Sequence, residues 1–240
     1  MSEKHTSDEQ HKEEVSTIII SDIHLGSAVA RPKKVKETLE KYKFDRLILL
    51  GDIFDDLNFT RLKKDHWNLL SYIRKLSNPG KNIDVIWVEG NHDEGLSEIM
   101  SHLIGIEVYD EYVWFEHDKA YLAIHGHQFD RFLNENIVIS NMASFVYDRM
   151  QRMSSEKQKL PRFVKRMSKG WLRLANKVAD GAIDYGKHKE ADIVFCGHTH
   201  QILTKENQGV TYYNSGCWTD VPSSYISIGK DGQIRILEVE

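Results

Sequence analysis

The sequence predicts an α/β fold that is built from βαβ units. Three short apolar runs, each typical of a buried strand, alternate with segments that have the apolar spacing of amphipathic helices. The strands are Val15–Ser21, Leu47–Leu50 and Ile83–Glu89, and the helices between them are Arg31–Lys43 and Asp65–Leu76. Strands that are separated by helices pair in parallel, so their carboxyl ends meet at one edge of the sheet. A chain of 240 residues, 40% of them hydrophobic, is long enough for one domain of this kind.

Each of these strands ends in residues that can bind a metal or transfer a proton. Asp22 and His24 follow the first strand, Asp52 follows Gly51 after the second, and Gly90-Asn91-His92-Asp93 follows the third. Ligands in open α/β sheets bind at the carboxyl ends of the strands. A lone aspartate in this position is commonly a turn or cap residue, but the repetition of the pattern predicts a shared functional site.

The rest of the chain adds strands and two further clusters of polar residues. An antiparallel hairpin, Glu111–His117 and Lys119–Ile124, ends in His125-Gly126-His127, and the strand Asp192–Cys196 ends in Gly197-His198-Thr199-His200. Alternating patterns predict antiparallel strands at Gln201–Lys205, Val210–Asn214, Ser224–Ile228 and Gln233–Val239, and a short helix is predicted at Glu94–Leu103.

A helical insertion is predicted between these clusters, at about residues 134–189. From Arg149 to Lys177 it carries ten Lys and Arg residues against one acid, Glu156. Two interpretations stay open: the charge is a solvated helix face, or the insertion is a cap over the site. In the second interpretation Arg162, Arg166 and Lys169 bind substrate phosphates or an anionic membrane surface.

Composition and charge narrow the possible functions. The net charge is −4, which does not favour nucleic acid as a partner. Residues 1–14 are polar and predict a disordered tail, neither a signal peptide nor a membrane span. The two cysteines, Cys196 and Cys217, have no metal-binding spacing and predict reduced core thiols. Together these features predict a cytoplasmic protein.

The polar residues at the strand ends are typical of a two-metal site. The candidate ligands are Asp22, His24, Asp52, Asn91, His125, His198 and His200. This set of oxygen and nitrogen donors suits Mn²⁺, Fe or Zn²⁺, with Mn²⁺ preferred here. Seven ligands are too many for one ion but fit two if Asp52 bridges them. His92 is then the candidate general acid, and Asp93 is expected to orient its imidazole.

The ordered motifs resemble those of the calcineurin-like metallophosphoesterase superfamily, and the likeness extends from Asp22 to His200. The resemblance implies a metallophosphoesterase-type β-sandwich that is flanked by helices. It implies one metal held by Asp22, His24, Asp52 and His200, and a second held by Asp52, Asn91, His125 and His198. It also implies that His92 is the catalytic histidine.

Within the superfamily, the chain is most similar to the UDP-2,3-diacylglucosamine diphosphatase-like group. The motifs that carry this resemblance are Ser21–Gly26, Gln128-Phe129-Asp130, Asn214–Trp218 and the helical insertion. The chain has His92 where the lipid A pathway enzyme itself carries Arg, so the resemblance is to the wider relatives of that enzyme.

The sequence therefore predicts a di-metal phosphoesterase that hydrolyses a phosphodiester or pyrophosphate bond by metal-activated hydroxide. Its expected partner is a small-molecule phosphodiester or a nucleotide-linked lipid such as a UDP-2,3-diacylglucosamine, with peripheral membrane contact through the basic insertion. The alternatives are a phosphodiesterase or nuclease for other nucleotides or nucleic acid, and a scaffold that kept the fold without catalysis. A scaffold is expected to lack ligands, and here every ligand of the motif is present.

Overall fold

The computed structural model describes residues 12–95, 105–131 and 161–240; for Arg131 and residues 161–169 it describes the backbone alone. The helices are α1 (Pro32–Leu39), α2 (Lys64–Leu76), α3 (Gln128–Arg131) and α4 (Pro161–His188), with single turns of 3-10 helix at Phe59–Arg61 and Pro79–Lys81. The strands are β1 (Glu13–Ile20), β2 (Tyr42–Lys43), β3 (Arg46–Leu50), β4 (Asp84–Val88), β5 (Val108–Tyr109), β6 (Glu111–Glu116), β7 (Lys119–Ile124), β8 (Ile193–Cys196), β9 (Leu203–Asn207), β10 (Val210–Asn214), β11 (Ser223–Gly229) and β12 (Ile234–Val239).

The first sheet has the strand order β12-β11-β1-β3-β4-β5, and β2 pairs with β1. The predicted βαβ units are confirmed, because β1, β3 and β4 are parallel. Ile19 of β1 lies opposite Ile48 of β3, which lies opposite Ile86 of β4. This level register brings the carboxyl ends of the three strands to one edge.

The second sheet has the order β6-β7-β8-β10-β9. The predicted hairpin β6-β7 is confirmed, and β9 and β10 are antiparallel as expected. Strand β9 lies at the edge of the sheet, and β10 lies between β9 and β8. Strand β10 is therefore antiparallel to β9 but parallel to β8. The last two strands, β11 and β12, join the first sheet instead.

The two sheets face each other, and helices cover their outer faces, so the predicted sandwich is confirmed. On β3, Ile48 and Leu50 pack against the second sheet, whereas Leu47 and Leu49 belong to the core that contacts α1 and α2. Both faces of β3 are therefore buried, as its uninterrupted apolar run predicted.

Helix α4 packs on the outer face of the second sheet. Ala182 and Ile183 lie in a buried cluster with Val194 of β8. A Cβ atom on Gly186 would lie 2.4 Å from the Val194 side chain, so a glycine is needed for this close approach. The C-terminal half of α4 is thus a core layer of the domain, and the boundary of the insertion at residues 134–189 stays a prediction because residues 132–160 lie outside the described part.

Two element boundaries differ from those that the sequence predicts. Helix α1 ends at Leu39, not at Lys43, because Tyr42 and Lys43 pair with Glu13 and Glu14 as strand β2. The same pairing starts β1 inside the segment that was predicted as a disordered tail, whose residues 1–11 are not described. Most of the predicted helix Glu94–Leu103 also lies outside the described residues.

None of the helices in the described ranges, the 28-residue α4 included, is long and apolar enough to cross a membrane.

Candidate metal centre

All seven candidate ligands lie where strands of the two sheets end. Asp22 and His24 follow β1, Asp52 follows β3 and Asn91 follows β4, while His125 follows β7 and the two remaining histidines follow β8. Hydrogen bonds join the two sheets here: the backbone N–H of His198, after β8, donates to Asp22 Oδ2, after β1, at 3.0 Å. The centre therefore lies between the edges of the two sheets.

Five of these ligands have a left-handed backbone conformation. The φ angles are 51° at Asp22, 50° at His24, 51° at Asp52, 66° at His198 and 54° at His200. Each such conformation costs a residue other than glycine about 1–3 kcal/mol, and strained residues of this kind cluster at functional sites. The sharp turns at these positions direct successive side chains toward one point, which an extended strand would not do.

The first group of ligands comprises Asp22, His24 and His200. One ligand atom from each lies within 4.8 Å of the others. The Nε2 atom of His200 lies 3.2 Å from Asp22 Oδ1 and 3.2 Å from His24 Nε2. A carboxylate and two imidazoles therefore converge on a volume that suits a single divalent cation.

The second group comprises Asp52, His125 and His198, and its ligand atoms also lie within 4.8 Å of one another. His125 Nδ1 donates to the Leu50 carbonyl at 2.9 Å, which leaves Nε2 directed at the centre, 3.3 Å from Asp52 Oδ2. Among the candidate ligands in the described residues, His125 Nε2 and Asn91 Oδ1 are buried without a hydrogen bond of good geometry. Unpaired buried polar atoms are costly. Because both are metal-ligand atoms, a cation bound at this point would satisfy them.

Asp52 connects the two groups. Its Oδ2 atom lies 3.3 Å from His125 Nε2 and 3.9 Å from His24 Nε2, and its Oδ1 atom accepts a hydrogen bond from the backbone N–H of His92 at 2.9 Å. The residue is 2% exposed, so its carboxylate is fixed by the protein. One carboxylate oxygen thus faces both candidate metal positions.

Carboxylate–imidazole pairs shift the pKa values of the residues in this centre. Burial disfavours the charged form of Asp52, but His125 outweighs this effect and holds the pKa of Asp52 well below its usual range. Burial likewise disfavours a charged His125, yet the attraction of Asp52 raises the pKa of His125 to about 9. Asp22 raises the pKa of His200 above its usual value in the same way, against the effect of burial.

These pKa values predict a pH-dependent metal affinity. Because His125 has a pKa of about 9, it carries a proton at neutral pH, and a cation must displace that proton. The affinity for Mn²⁺ is expected to weaken as the pH falls from 9 to 6, by about tenfold per pH unit for each displaced proton. Calorimetric titration in buffers of different ionisation enthalpy measures the protons released, and an affinity that is independent of pH would contradict the prediction.

Comparison with known proteins agrees with this geometry. Residues 15–228 match the family model that is described as the calcineurin-like phosphoesterase superfamily domain. The chain belongs to the calcineurin-like phosphoesterase superfamily. The match includes every candidate ligand, and it confirms the superfamily-level resemblance in the sequence.

One curated protein matches part of this chain. The DNA double-strand break repair protein Mre11 of Nanoarchaeum equitans is 30% identical over 120 residues, which cover 45% of this chain and 32% of that protein. This chain therefore spans about a third of the length of that curated relative.

Solved structures share the fold. A structure described as a novel archaeal phosphodiesterase has a TM-score of 0.50 and 16% identity, covering 93% of this chain and 99% of that one. Vps29 of Chaetomium thermophilum also has a TM-score of 0.50, with 12% identity, covering 93% and 96%. At these identities the likeness concerns the fold alone.

His92 lies at the exposed side of the centre. Its Nδ1 atom lies 2.6 Å from the Asp55 carbonyl, which can only accept, so Nδ1 is the donor. Its ring meets that of His24 edge-on, with 4.9 Å between centroids. The remaining nitrogen, Nε2, is then the one that can exchange a proton with a bound molecule.

Asp93 does not have the role that the sequence predicted. Its buried carboxylate accepts hydrogen bonds from the backbone N–H groups of Ile53 at 3.1 Å and Phe54 at 3.0 Å, and from Trp87 Nε1 at 3.4 Å. It therefore fixes the loop after Asp52, and the expectation that it orients His92 is wrong. Burial, together with the nearby charge of Asp52, raises the pKa of Asp93 to about 7.

Substitutions should separate the roles of His92 and Asp93. His92→Ala is expected to lower kcat by about 100-fold or more with little change in stability, since general acids contribute 10²–10⁴-fold. Asp93→Ala is expected to lower the free energy of unfolding by about 2–4 kcal/mol, because it leaves buried donors unpaired. Asp93→Asn, which keeps an acceptor oxygen, is the control and should be milder. Denaturant unfolding of the metal-free variants and steady-state kinetics measure both; equal effects on stability would contradict the separation.

The glycines that precede three of the ligands allow another ligand to approach the backbone closely. A Cβ atom on Gly51 would lie 2.2 Å from His125 Nδ1, one on Gly90 would lie 2.3 Å from Asp52 Oδ1, and one on Gly197 would lie 2.4 Å from Asp22 Oδ2. Each glycine makes room for a ligand that is supplied by a different strand. The sequence carries this signal, since a glycine directly precedes Asp52, Asn91 and His198.

The remaining predicted site residues lie on α4. Arg162, Arg166 and Lys169 are in its first turns, but their side chains lie outside the described part of the structure. Further along, Trp171 Nε1 donates to the carbonyl of Thr199 at 2.8 Å. Helix α4 therefore contacts the loop that carries His198 and His200.

Proposed function

We propose that the protein is a two-metal phosphoesterase that hydrolyses a phosphodiester or pyrophosphate bond. The observation that carries the proposal is the position of Asp52 Oδ2, between His125 Nε2 at 3.3 Å and His24 Nε2 at 3.9 Å. A carboxylate oxygen so placed can be shared by two cations, each with its own imidazole and carboxylate or amide ligands. Asp22, His24 and His200 would hold one ion, and Asn91, His125 and His198 the other.

The residues around this centre have separate tasks. Two divalent cations would polarise the phosphoryl group and lower the pKa of the attacking water. The buried strand ends hold the ligands rigidly, so the positive charge is placed before substrate arrives. His92 donates from Nδ1 to the Asp55 carbonyl, and its Nε2 would give a proton to the leaving oxygen.

A phosphodiester is the substrate class that the relatives favour. The family is one of phosphoesterases, and one relative is named a DNA double-strand break repair protein. The net charge of −4 weighs against a nucleic-acid substrate, since nucleic-acid affinity depends on neutralised phosphates. A small phosphodiester or pyrophosphate is the substrate that agrees with both the phosphoesterase family and the negative net charge.

The more specific proposal is a nucleotide-linked lipid of the UDP-2,3-diacylglucosamine type. Arg162, Arg166 and Lys169, in the first turns of α4, would contact its phosphates or an anionic membrane surface. Trp171 of the same helix donates a hydrogen bond to the loop that carries His198 and His200. This substrate and the membrane contact have their support in the motifs of the sequence and in the basic character of the segment.

The function is tested with metal-stripped protein to which Mn²⁺ is restored. We would compare an aryl phosphodiester, UDP-2,3-diacylglucosamine and single- and double-stranded DNA, with phosphate-monoester cleavage as the reference. Turnover of the diester that disappears on chelation supports the proposal, and UMP release supports the lipid substrate. DNA cleavage without small-diester turnover would favour the nuclease, and no turnover with two ions bound would favour the non-catalytic scaffold.

A further inference from the structure

The short helix α3 places Asp130 against a histidine of the second ligand group. His198 Nε2 lies 2.6 Å from Asp130 Oδ2, and both side chains are 17% exposed. A carboxylate only accepts, so Nε2 carries the hydrogen of this charge-assisted bond. An imidazole has two ring nitrogens, and the bond leaves Nδ1 as the nitrogen of His198 that can bind a cation.

The position of Asp130 is set by the structure around it. Helix α3 begins two residues after Gly126, and the backbone N–H of Phe129 donates to the Gly126 carbonyl at 3.1 Å. Phe129 packs against α4: its ring centroid lies 5.9 Å from that of Tyr185, and a Cβ atom on Gly181 would lie 3.1 Å from its side chain. Asp130 is thus held from the side of α4, independently of the strand that carries His198.

A similar carboxylate–imidazole pair occurs at the first ligand group. His24 Nδ1 lies 3.5 Å from Asp55 Oδ1, and Arg61 holds the Asp55 carboxylate at 2.7 Å. The nitrogen of His24 that lies nearer the other ligands is Nε2. Each group therefore contains one histidine whose outer nitrogen faces a carboxylate from another segment.

We propose that Asp130 is a positioning residue of the metal centre. By accepting a hydrogen bond from His198 Nε2, it fixes the tautomer and the ring orientation that turn Nδ1 toward Asp52 and His125, and so strengthens cation binding by the second group. This inference rests on the proposed two-metal centre. Loss of such an outer partner typically weakens metal affinity by about 10–100-fold.

The test is a Mn²⁺ titration of the metal-free full chain by calorimetry and electron paramagnetic resonance. Asp130→Ala is expected to weaken one of two Mn²⁺ sites by about 10–100-fold and to leave the other unchanged. Asp180→Asn is the matched control, since Asp180 is an exposed carboxylate that bonds Lys205 on the surface. Asp130→Asn keeps an acceptor oxygen and should recover part of the affinity.

A second readout reports on the tautomer itself. In Zn²⁺-loaded protein with ¹⁵N-labelled histidine, His198 should carry its hydrogen on Nε2, and Asp130→Ala should change the ¹⁵N shifts of His198 while those of His125 stay in place. A purely structural role for Asp130 would lower the melting temperature of the metal-free protein without this change.

Three results would overturn the inference. Unchanged affinity at both sites in Asp130→Ala shows that the residue does not position a ligand. A lower melting temperature with unchanged affinity shows a structural role only. Complete loss of one ion in both Asp130 variants at saturating Mn²⁺ makes Asp130 a direct ligand. A wild-type protein that binds fewer than two ions contradicts the proposed function itself, which is a distinct outcome.

Discussion

Asp52→Asn is expected to lower kcat by about 1,000-fold or more, which corresponds to about 4 kcal/mol of transition-state stabilisation. The reason is the position of Oδ2 between His125 and His24, which no other described carboxylate oxygen shares. The side-chain amide of asparagine is neutral, and its oxygen is a weaker metal ligand than a carboxylate oxygen. It therefore cannot bridge two cations as a carboxylate does. The measurement is turnover of an aryl phosphodiester at saturating Mn²⁺, together with the number of bound ions.

Asp84→Asn is a matched control for this variant. Asp84 begins β4 at the opposite end of the same sheet, and its exposed carboxylate lies 3.5 Å from the half-buried Arg46. Its substitution should leave activity unchanged, because exposed pairs contribute little. If Asp52→Asn retained most of the wild-type rate with two ions bound, the bridging role would be refuted.

Gly90→Ala is also expected to have a large effect, although the substitution adds only a methyl group. Its Cβ atom would lie 2.3 Å from both the backbone nitrogen and Oδ1 of Asp52, and neither can move without displacing the ligand. We expect the loss of at least one bound Mn²⁺ and a decrease in kcat/KM of about 100-fold or more, corresponding to about 3 kcal/mol.

Gly170→Ala provides the control for Gly90→Ala. A Cβ atom on Gly170 would meet no atom within 4 Å, and the residue lies within α4. Alanine is favoured over glycine there by about 0.5–1 kcal/mol, so this variant should be slightly more stable and fully active. Normal metal content in Gly90→Ala would show that the loop can adapt, contrary to the expectation.

The sequence was most informative where a side chain's role follows from its place in a strand. Apolar runs such as Leu47–Leu50 identify buried strands, and parallel pairing brings the residues after them to one edge whatever the details of the loops. For that reason the positions of Asp22, Asp52 and Asn91 could be predicted together.

Roles that depend on the path of a loop could not be predicted. Asp93 adjoins His92 in the sequence, yet the turn directs its carboxylate to the backbone of Ile53 and Phe54. Asp130 meets His198 only because Phe129 packs on α4. The strand at Tyr42–Lys43 likewise depends on its pairing with Glu13 and Glu14, which helical spacing does not reveal.

The division of the ligands between two sheets has a consequence for biosynthesis. His198 lies 176 positions after Asp22 in the sequence, and its backbone N–H donates to the Asp22 carboxylate. A partly synthesised chain that ends before β8 lacks His198 and His200, and each of the two candidate ligand groups needs one of these histidines. In the proposed two-metal centre, a nascent chain would therefore gain the stabilisation of bound ions only after its last ligand, His200, has left the ribosome.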